Sequence, residues 1–413
     1  MHWIYGRRLG DTLIDPTNGF GMLRLIAALS VVFSHSFYLR THLTASEPLF
    51  TATGFTLGQH AVHVFFVVSG LLVTASLVRT PTLTGYLSAR VLRIFPALAV
   101  CTILTAFVLG PAVTSLPITA YLTSSEPVLY VLKTVGLATG HAPLPGVFDT
   151  NPVAGEINIP VWTLKYELIC YLALAGLAVA GVFRSWAATT FVVGVIVVAY
   201  VVPHLAGPNA AAGPASALGS LSRLGLCFTA GMLAFILRNS LRIGLLAPAV
   251  AALAYVLARG TGLESTALIV LTTFLSLAVA SIPFGRLADW TRETDISYGT
   301  YIYGWPVMQL MLFLFPGIGQ LQLFALTLAL LIPAAYLSWR FVEKPALSLK
   351  RRPQRPQTSA LRQKITAPRP PIAPEAVERL DENGEPLPPP PSRRRIQAAL
   401  RTSPQGRLRL ARS

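Results

Sequence analysis

The sequence predicts an all-α, polytopic membrane protein of about ten transmembrane helices, N-in and C-in, with a disordered C-terminal tail. Its 413 residues are 53% hydrophobic and only 12% charged, too few polar groups to cover a soluble globule of this length. Apolar runs of about 20 residues, the length that crosses a bilayer as a helix, recur along the chain. Arginines gather in alternate loops, which is typical of the cytoplasmic loops of membrane proteins.

Ten segments have membrane-spanning length. They are residues 20–39, 59–78, 95–113, 161–181, 186–203, 217–237, 243–258, 264–284, 296–316 and 320–341. We therefore divide the chain into a cytoplasmic N-terminal segment (1–19), a transmembrane domain (20–349) and a basic, Pro-rich tail (350–413). The apolar run 127–138 is too short to span, so we expect it to lie at the interface or to re-enter. Residues 1–19 lack the apolar core of a signal peptide.

The loop charges predict the orientation. With the N terminus inside, ten basic residues fall in inner loops before the tail and three in outer loops. The inner set is Arg7, Arg8, Arg79, Arg90, Arg93, Arg184, Arg238, Arg242, Arg286 and Arg292, and the outer set is Arg40, Lys133 and Arg259. This excess of positive charge on one side favours both termini in the cytoplasm.

The tail differs sharply in composition from the rest of the chain. Residues 350–413 contain 15 Lys or Arg, 5 Asp or Glu and 12 Pro. We expect this segment to be disordered, because it has little apolar surface to offset the entropy of ordering. Beside the inner leaflet, its expected partner is anionic lipid and not nucleic acid.

Arg24 and His35 are ionisable residues inside the first span. Eleven positions apart, they are separated by three helical turns, about 16 Å, and share one helix face. A charge in lipid is costly, so such residues usually face a protein interior or a wet cavity. The alternative is that Arg24 reaches the headgroups and His35 is a hydrogen-bonded bundle histidine.

The second span carries two histidines and a pair of small residues. His60 and His63 lie one turn apart near its outer end, but together with His35 and His42 they match no dedicated metal-binding spacing, so we expect no metal. Ser69 and Gly70 are small residues of the kind that lets transmembrane helices approach closely.

Arg90 and Arg93 stand at i and i+3 just before the third span. On a helix they form one cationic edge facing the cytoplasm, and guanidinium groups bind phosphates as bidentate donors. The alternative is purely topological, because the positive-inside rule also places arginines there.

Glu167 lies near the outer end of the fourth span, roughly 9 Å below the membrane surface. A carboxylate at that depth must be paired, neutralised or hydrated. Pairing with His35 would orient the imidazole and raise its basicity, as general-base catalysis requires. The alternative is a local contact with Lys165 and an aromatic belt of Trp162 and Tyr166.

Six short motifs follow one another along the chain. They are Arg24-x10-His35, His63-Val-Phe-Phe-Val-Val-Ser69-Gly70, Arg90-x2-Arg93-Ile-x-Pro96, Trp162-Thr-Leu-Lys-Tyr-Glu167, Ser297-Tyr298-Gly-Thr-Tyr301-Ile-Tyr303 and Phe341-Val-Glu343-Lys-Pro345. In this order, over about residues 10–348, they resemble acyltransferase family 3, a family of integral-membrane O-acyltransferases.

The resemblance implies a bacterial plasma (inner) membrane enzyme that moves an acetyl or other short acyl group. The donor would be cytosolic acyl-CoA, a co-substrate and not a permanently bound cofactor, and the acceptor a hydroxyl of a surface or lipid-linked carbohydrate. It implies that His35 is the essential histidine, that Glu167 is an essential polar partner, and that Arg24, Arg90 and Arg93 serve the acyl donor. The supporting positions would be His63, Ser69, Trp162, Lys165, Tyr166, Tyr298 and Tyr301.

Two departures from the family pattern stand out. Many members carry Asp where this chain has His63, and many carry His where it has Gly304, before Trp305 and Pro306. These positions are consistent with a subgroup that uses a different acceptor.

Several alternatives stay open. His35 can activate a hydroxyl for direct attack or accept the acyl group itself. A secondary transporter could use the buried Arg, His and Glu groups as a substrate or proton path, but the two halves of the chain share no obvious repeated motif. A membrane scaffold acting through its basic tail is a third possibility.

Overall fold

The computed structural model describes residues 6–80, 82–138, 142–205 and 216–350, all of which belong to one compact unit. The predicted disordered tail, apart from its first residue, lies outside the described residues, and so does its expected contact with lipid.

The described chain is mostly helical. The α-helices are α1 Leu9–Ile14, α2 Phe20–Thr41, α3 Pro48–Thr53, α4 Leu57–Arg79, α5 Leu83–Leu104, α6 Gly110–Val113, α7 Ile118–Thr123, α8 Glu126–Val135, α9 Leu164–Val179, α10 Trp186–Leu205, α11 Ala217–Ile236, α12 Leu246–Ala258, α13 Glu264–Ala280, α14 Arg286–Glu293, α15 Ser297–Leu314, α16 Gln320–Ser338 and α17 Lys344–Ser348. Short 3-10 turns cover Thr44–Ser46, Ile159–Thr163 and Val182–Arg184. Two short strands, β1 Arg7–Arg8 and β2 Arg242–Ile243, pair antiparallel with Arg7 opposite Ile243.

Each of the ten predicted spans falls on a helix. Among the described residues, six helical stretches are long and apolar enough to cross a membrane: Phe20–Thr41, Leu57–Arg79, Leu83–Val113, Ile159–Val179, Ala217–Ile236 and Gln320–Ser348. The predicted helical membrane protein is confirmed at this level, whereas the number of ten spans and the N-in, C-in orientation stay predictions. The short apolar run 127–138 forms most of α8, which buries Tyr130 against the end of α5.

Helices α4 and α11 cross at two glycines. A Cβ atom on Gly70 would lie 2.0 Å from the carbonyl oxygen of Phe228, and one on Gly231 would lie 1.9 Å from that of Val67. Such distances leave no room for a side chain, and backbone atoms cannot move aside. The close helix approach expected at Gly70 is therefore confirmed.

Two π-helical turns interrupt the regular helices. Thr105–Leu109 joins α5 to α6, and Trp339–Glu343 joins α16 to α17. A π turn inserts an extra residue per turn and redirects the side chains that follow it. The second one places Glu343, which is almost fully buried, beside Arg93 of α5.

Replacing Gly231 by Ala should destabilise the protein by about 1–3 kcal/mol, because the new methyl group overpacks the crossing against backbone. Gly225 lies on the same helix with open space around its Cα, so Gly225→Ala is the matched control and should change little. Melting temperatures of the purified proteins in detergent measure the difference. Equal melting temperatures would contradict the close contact.

Candidate active site

A cavity of about 400 Å³ lies among α2, α4, α5, α9 and α15. We call it the arginine cavity. It gathers residues from five of the six sequence motifs: Arg24, Ser69, Arg90, Arg93, Glu167, Tyr298 and Tyr301. The fold therefore brings seven of the predicted site residues to one hollow, although they are spread over most of the chain.

Asp295, in the loop before α15, joins two of the arginines. Arg24 Nη1 and Arg93 Nη2 both donate to its Oδ2, at 2.7 and 2.8 Å. Ser297 Oγ donates to Oδ1 at 2.6 Å. Burial acts to raise the pKa of Asp295, but the two guanidinium groups and Ser297 outweigh it and hold that pKa below its usual value.

Arg93 has a second carboxylate nearby, whereas in the described part of the chain Arg90 forms no ion pair and donates only a long hydrogen bond, of 3.4 Å, to Ser76 Oγ. Glu343 Oε2 lies 3.6 Å from Arg93 Nη1. The Arg90 guanidinium lies over the rings of Tyr86 and Tyr171 at 5.8 and 5.6 Å from their centroids, and its Nε has no hydrogen-bond partner. Among the described residues, Arg90 is thus an arginine of the cavity whose charge is not balanced by an acidic side chain.

Two further basic side chains stand at the edge of the arginine cavity. Arg292 at the end of α14 and Lys350 after α17 line it and are exposed to solvent. Arg292 also forms an exposed ion pair with Asp289 at 3.1 Å. The mouth of the cavity is therefore basic, which suits a negatively charged ligand that arrives from solvent.

Glu167 of α9 also lines the arginine cavity. It accepts hydrogen bonds from Ser69 Oγ, at 3.0 Å, and from the hydroxyl of Tyr171. Among the described residues no hydrogen bond joins Glu167 to His35, so the expected pairing is wrong for this structure. The reason is geometric: Glu167 faces the arginine cavity, whereas His35 faces a different hollow.

That second hollow, of about 60 Å³, contains His35 and is called here the histidine chamber. Its polar lining also includes Thr56, Gln59, His63, Trp162 and Arg223. The imidazole of His35 packs edge-on against Trp305, with ring centroids 5.0 Å apart. Because Arg24 and His35 share the unbroken helix α2, about 16 Å separates the two ends of the site.

A thin wall separates the two hollows. Val62, Thr163 and Tyr301 line both of them. The Tyr301 hydroxyl lies 2.6 Å from Thr163 Oγ1 and donates to the carbonyl oxygen of Pro160, also at 2.6 Å. These three residues are therefore shared between the arginine cavity and the chamber that holds His35.

The remaining predicted positions lie around these hollows. His63 and Trp162 line the histidine chamber, and Tyr298 donates to the carbonyl oxygen of Ile94 at 2.8 Å while its ring lies under Arg93. Lys165 lies over the Tyr166 ring at 5.0 Å, and neither residue lines either hollow. The rings of Trp162 and Tyr166 pack edge-on with their centroids 5.5 Å apart. Among the described residues no ion pair joins Lys165 to Glu167, and the aromatic belt at the membrane surface stays a prediction.

Sequence reasoning missed three polar residues: Asp295, Tyr171 and Arg223. A signal for Asp295 was present, because several arginines gathered in a membrane protein require a counter-charge and this carboxylate stands two residues before the Ser297 motif. Arg223 was readable as a charge within the sixth predicted span. Tyr171 follows Glu167 by four residues on α9, the spacing that places two side chains on the same helix face, so the sequence carried a signal for this contact too.

No metal site is evident in the described part of the chain. Within residues 6–80, 82–138, 142–205 and 216–350, no group of three or more His, Cys, Asp or Glu side chains is arranged to hold a metal ion.

Comparison with known proteins identifies the family. A family model described as an acyltransferase domain matches residues 18–341, a range that includes His35, Glu167 and the arginines that line the two hollows. The chain belongs to acyltransferase family 3. It is therefore an acyltransferase, and the transporter and scaffold interpretations are set aside.

Two relatives support the membership in acyltransferase family 3. The chain is 29% identical over 344 residues to an O-acetyl transferase of Shigella phage Sf6, covering 81% of this chain and 97% of that protein. It is 28% identical over 362 residues to nodulation protein 10 of Rhizobium leguminosarum bv. viciae, covering 81% and 94%. No solved structure matches the chain.

Replacing Asp295 by Asn should destabilise this acyltransferase by about 1–3 kcal/mol, between the values for surface and fully buried ion pairs, because it leaves Arg24 and Arg93 facing each other. Since the pKa of Asp295 is lowered on folding, its stabilisation is present above about pH 4 and fades as the pH falls below that. Asp289→Asn, which breaks an exposed pair, is the control. Melting temperatures at several pH values test both statements, and equal losses in the two variants would contradict them.

Proposed function

We propose that this membrane O-acyltransferase moves an acetyl or other short acyl group from cytosolic acyl-CoA to a hydroxyl of a surface or lipid-linked carbohydrate, in a bacterial plasma membrane. One observation carries the proposal: a basic cavity lies next to a smaller chamber that holds His35. The phage relative is named an O-acetyl transferase, which supports an acetyl group as cargo.

The arginine cavity suits the phosphates of the donor. Coenzyme A carries a pyrophosphate and a further phosphate, and guanidinium groups bind phosphates through paired, charge-assisted hydrogen bonds. Arg90 has no acidic partner in the described structure and is free to take this role, whereas Asp295 already occupies Arg24 and Arg93. We therefore assign the phosphate contact mainly to Arg90, with Arg292 and Lys350 at the mouth attracting the donor.

The distances suit a thioester that reaches from one hollow to the other. With phosphates held near Arg90, the flexible pantetheine arm runs past Arg24 toward the wall of Val62, Thr163 and Tyr301. The arm is long enough for the roughly 16 Å that separate Arg24 from His35 along α2. Movement of the Tyr301 side chain would admit the thioester to the chamber.

His35 then supplies the chemistry. We propose direct transfer, in which the His35 imidazole removes the proton of the acceptor hydroxyl and afterwards gives it to the departing thiolate sulfur. Glu167 does not act on His35 in this scheme. Its contacts with Ser69 and Tyr171 place a carboxylate on the path of the arm, where it orients that wall of the cavity.

His35→Ala should abolish transfer of labelled acetyl from acetyl-CoA to carbohydrate in membranes that contain the full-length protein. Removing a general base costs about 10²–10⁴-fold in rate. His204→Ala is the matched control, because His204 contacts the carbonyl oxygen of Tyr200 and lines neither hollow. Undiminished transfer by a well-expressed His35→Ala protein would remove His35 from the reaction.

Arg90→Gln should raise the KM for acetyl-CoA by about 10- to 100-fold, the size of one lost charge-assisted hydrogen bond. The same change should have little effect with acetyl-pantetheine, a thioester that lacks all the phosphates. Arg79→Gln, at the exposed end of α4, is the control and should behave like the wild type. An equal rise in KM for both donors would show that Arg90 does not bind phosphate.

A further inference from the structure

Two polar side chains of the histidine chamber have no role in the reaction as described so far. His63 on α4 is 1% exposed, and neither of its ring nitrogens has a hydrogen-bond partner among the described residues. Arg223 on α11 is 5% exposed, and its Nε and Nη1 also lack partners there. Both residues line the chamber together with His35.

An arrangement of this kind is costly to fold. A buried guanidinium needs acceptors for its N–H groups, and without them it lowers the stability of the protein. The Phe55 ring lies 5.2 Å from the Arg223 guanidinium carbon and compensates only in part, through a cation–π contact. No Asp or Glu is among the described residues that line the chamber. The unbonded donors thus form a preorganised site for an oxygen atom that carries negative charge.

The histidine chamber is much the smaller of the two hollows, with a volume of about 60 Å³ against about 400 Å³ for the arginine cavity. A small group therefore suits it best. The methyl and carbonyl groups of an acetyl thioester are smaller than a sugar ring, and their carbonyl supplies the oxygen that the unbonded donors require.

We infer that the histidine chamber is the acyl pocket, in which Arg223, with His63 beside it, donates hydrogen bonds to the thioester carbonyl oxygen as that oxygen becomes negative. The inference rests on the proposed function and adds to it the group that stabilises the oxyanion. Fixed donors aimed at a developing oxyanion are worth about 10²–10³ in kcat each.

The acceptor hydroxyl oxygen forms a bond to the carbonyl carbon and gives its proton to His35, while the carbonyl π electrons move to the oxygen held by Arg223. When these electrons return, the carbon–sulfur bond breaks and the sulfur leaves with its electron pair. The sulfur then takes the proton from His35. The products are the carbohydrate ester and free CoA, and Arg223 stays protonated throughout.

The first test compares Arg223→Met with Arg238→Met in the full-length protein. Arg238 follows the same helix, stacks on Phe235 at 4.2 Å and lines neither hollow, so its replacement should leave transfer unchanged. Arg223→Met should lower kcat by about 10²–10³-fold and change the KM for acetyl-CoA less than about threefold. Its melting temperature should stay equal or rise, because an unpaired buried cation has been removed. Arg223→Lys should recover part of kcat.

Several results would contradict the role of Arg223 in stabilising the oxyanion. A kcat for Arg223→Met within twofold of the wild type would overturn the inference, and so would a joint loss of activity and melting temperature, which indicates a structural arginine. A rise only in the KM for the carbohydrate would assign Arg223 to an acidic group of the acceptor. Transfer that depends on His35 but not on Arg223 overturns this inference alone, whereas a wild-type protein that transfers nothing from acetyl-CoA overturns the proposed function.

The second test concerns the size of the acyl group. Val31 lines the chamber, whereas its neighbour Val32 is buried elsewhere, against Trp305 and Met308. Val31→Ala enlarges the chamber, so the ratio of butyryl to acetyl transfer should rise by about tenfold, the usual effect of one or two methylene groups on specificity. Val32→Ala should leave the ratio unchanged. The same ratio in Val31→Ala and wild type would show that the acyl group does not bind in the chamber.

Discussion

The site depends on one carboxylate shared by two arginines. Asp295 holds Arg24 of α2 and Arg93 of α5 from the loop before α15, so a single side chain fixes three helices around the arginine cavity. Several guanidinium groups could not otherwise stand together in a low-dielectric protein, because each would repel the others and lose its hydration. Asp295 neutralises Arg24 and Arg93. Among the described residues no carboxylate forms an ion pair with Arg90, whose charge is therefore available to a ligand.

The arginines held by Asp295 and the imidazole of His35 lie in separate hollows. Arg24, Arg90 and Arg93 line the large hollow, whereas His35 and Arg223 line the small one. Val62, Thr163 and Tyr301 line both hollows. The proposed donor, acyl-CoA, has the same division, with phosphates at one end and a nearly apolar thioester at the other. The long flexible arm between the two ends makes a site with two compartments workable, since neither end has to enter the environment of the other.

The sequence allowed much of this to be predicted, for reasons that individual residues make plain. Apolar length located the helices, and the spacing of Arg24 and His35 on one helix required only the helical repeat. The contact of Glu167 with Ser69 of α4 could not be predicted that way, because depth in the membrane does not say which other helix a side chain faces. The place of Arg223 beside His63 could not be predicted either, because it depends on the crossing of α4 and α11 at Gly70 and Gly231.

The hydrogen-bonded Tyr301 has a consequence for the cell as well as for the enzyme. Two hollows that joined inside a membrane protein would open a path for ions and could collapse the electrochemical gradient that powers the cell. With its hydroxyl bonded to Thr163 and Pro160, Tyr301 lies between the arginine cavity and the histidine chamber. If the side chain moves aside only when a thioester fills the gap, the membrane stays electrically sealed through every turnover.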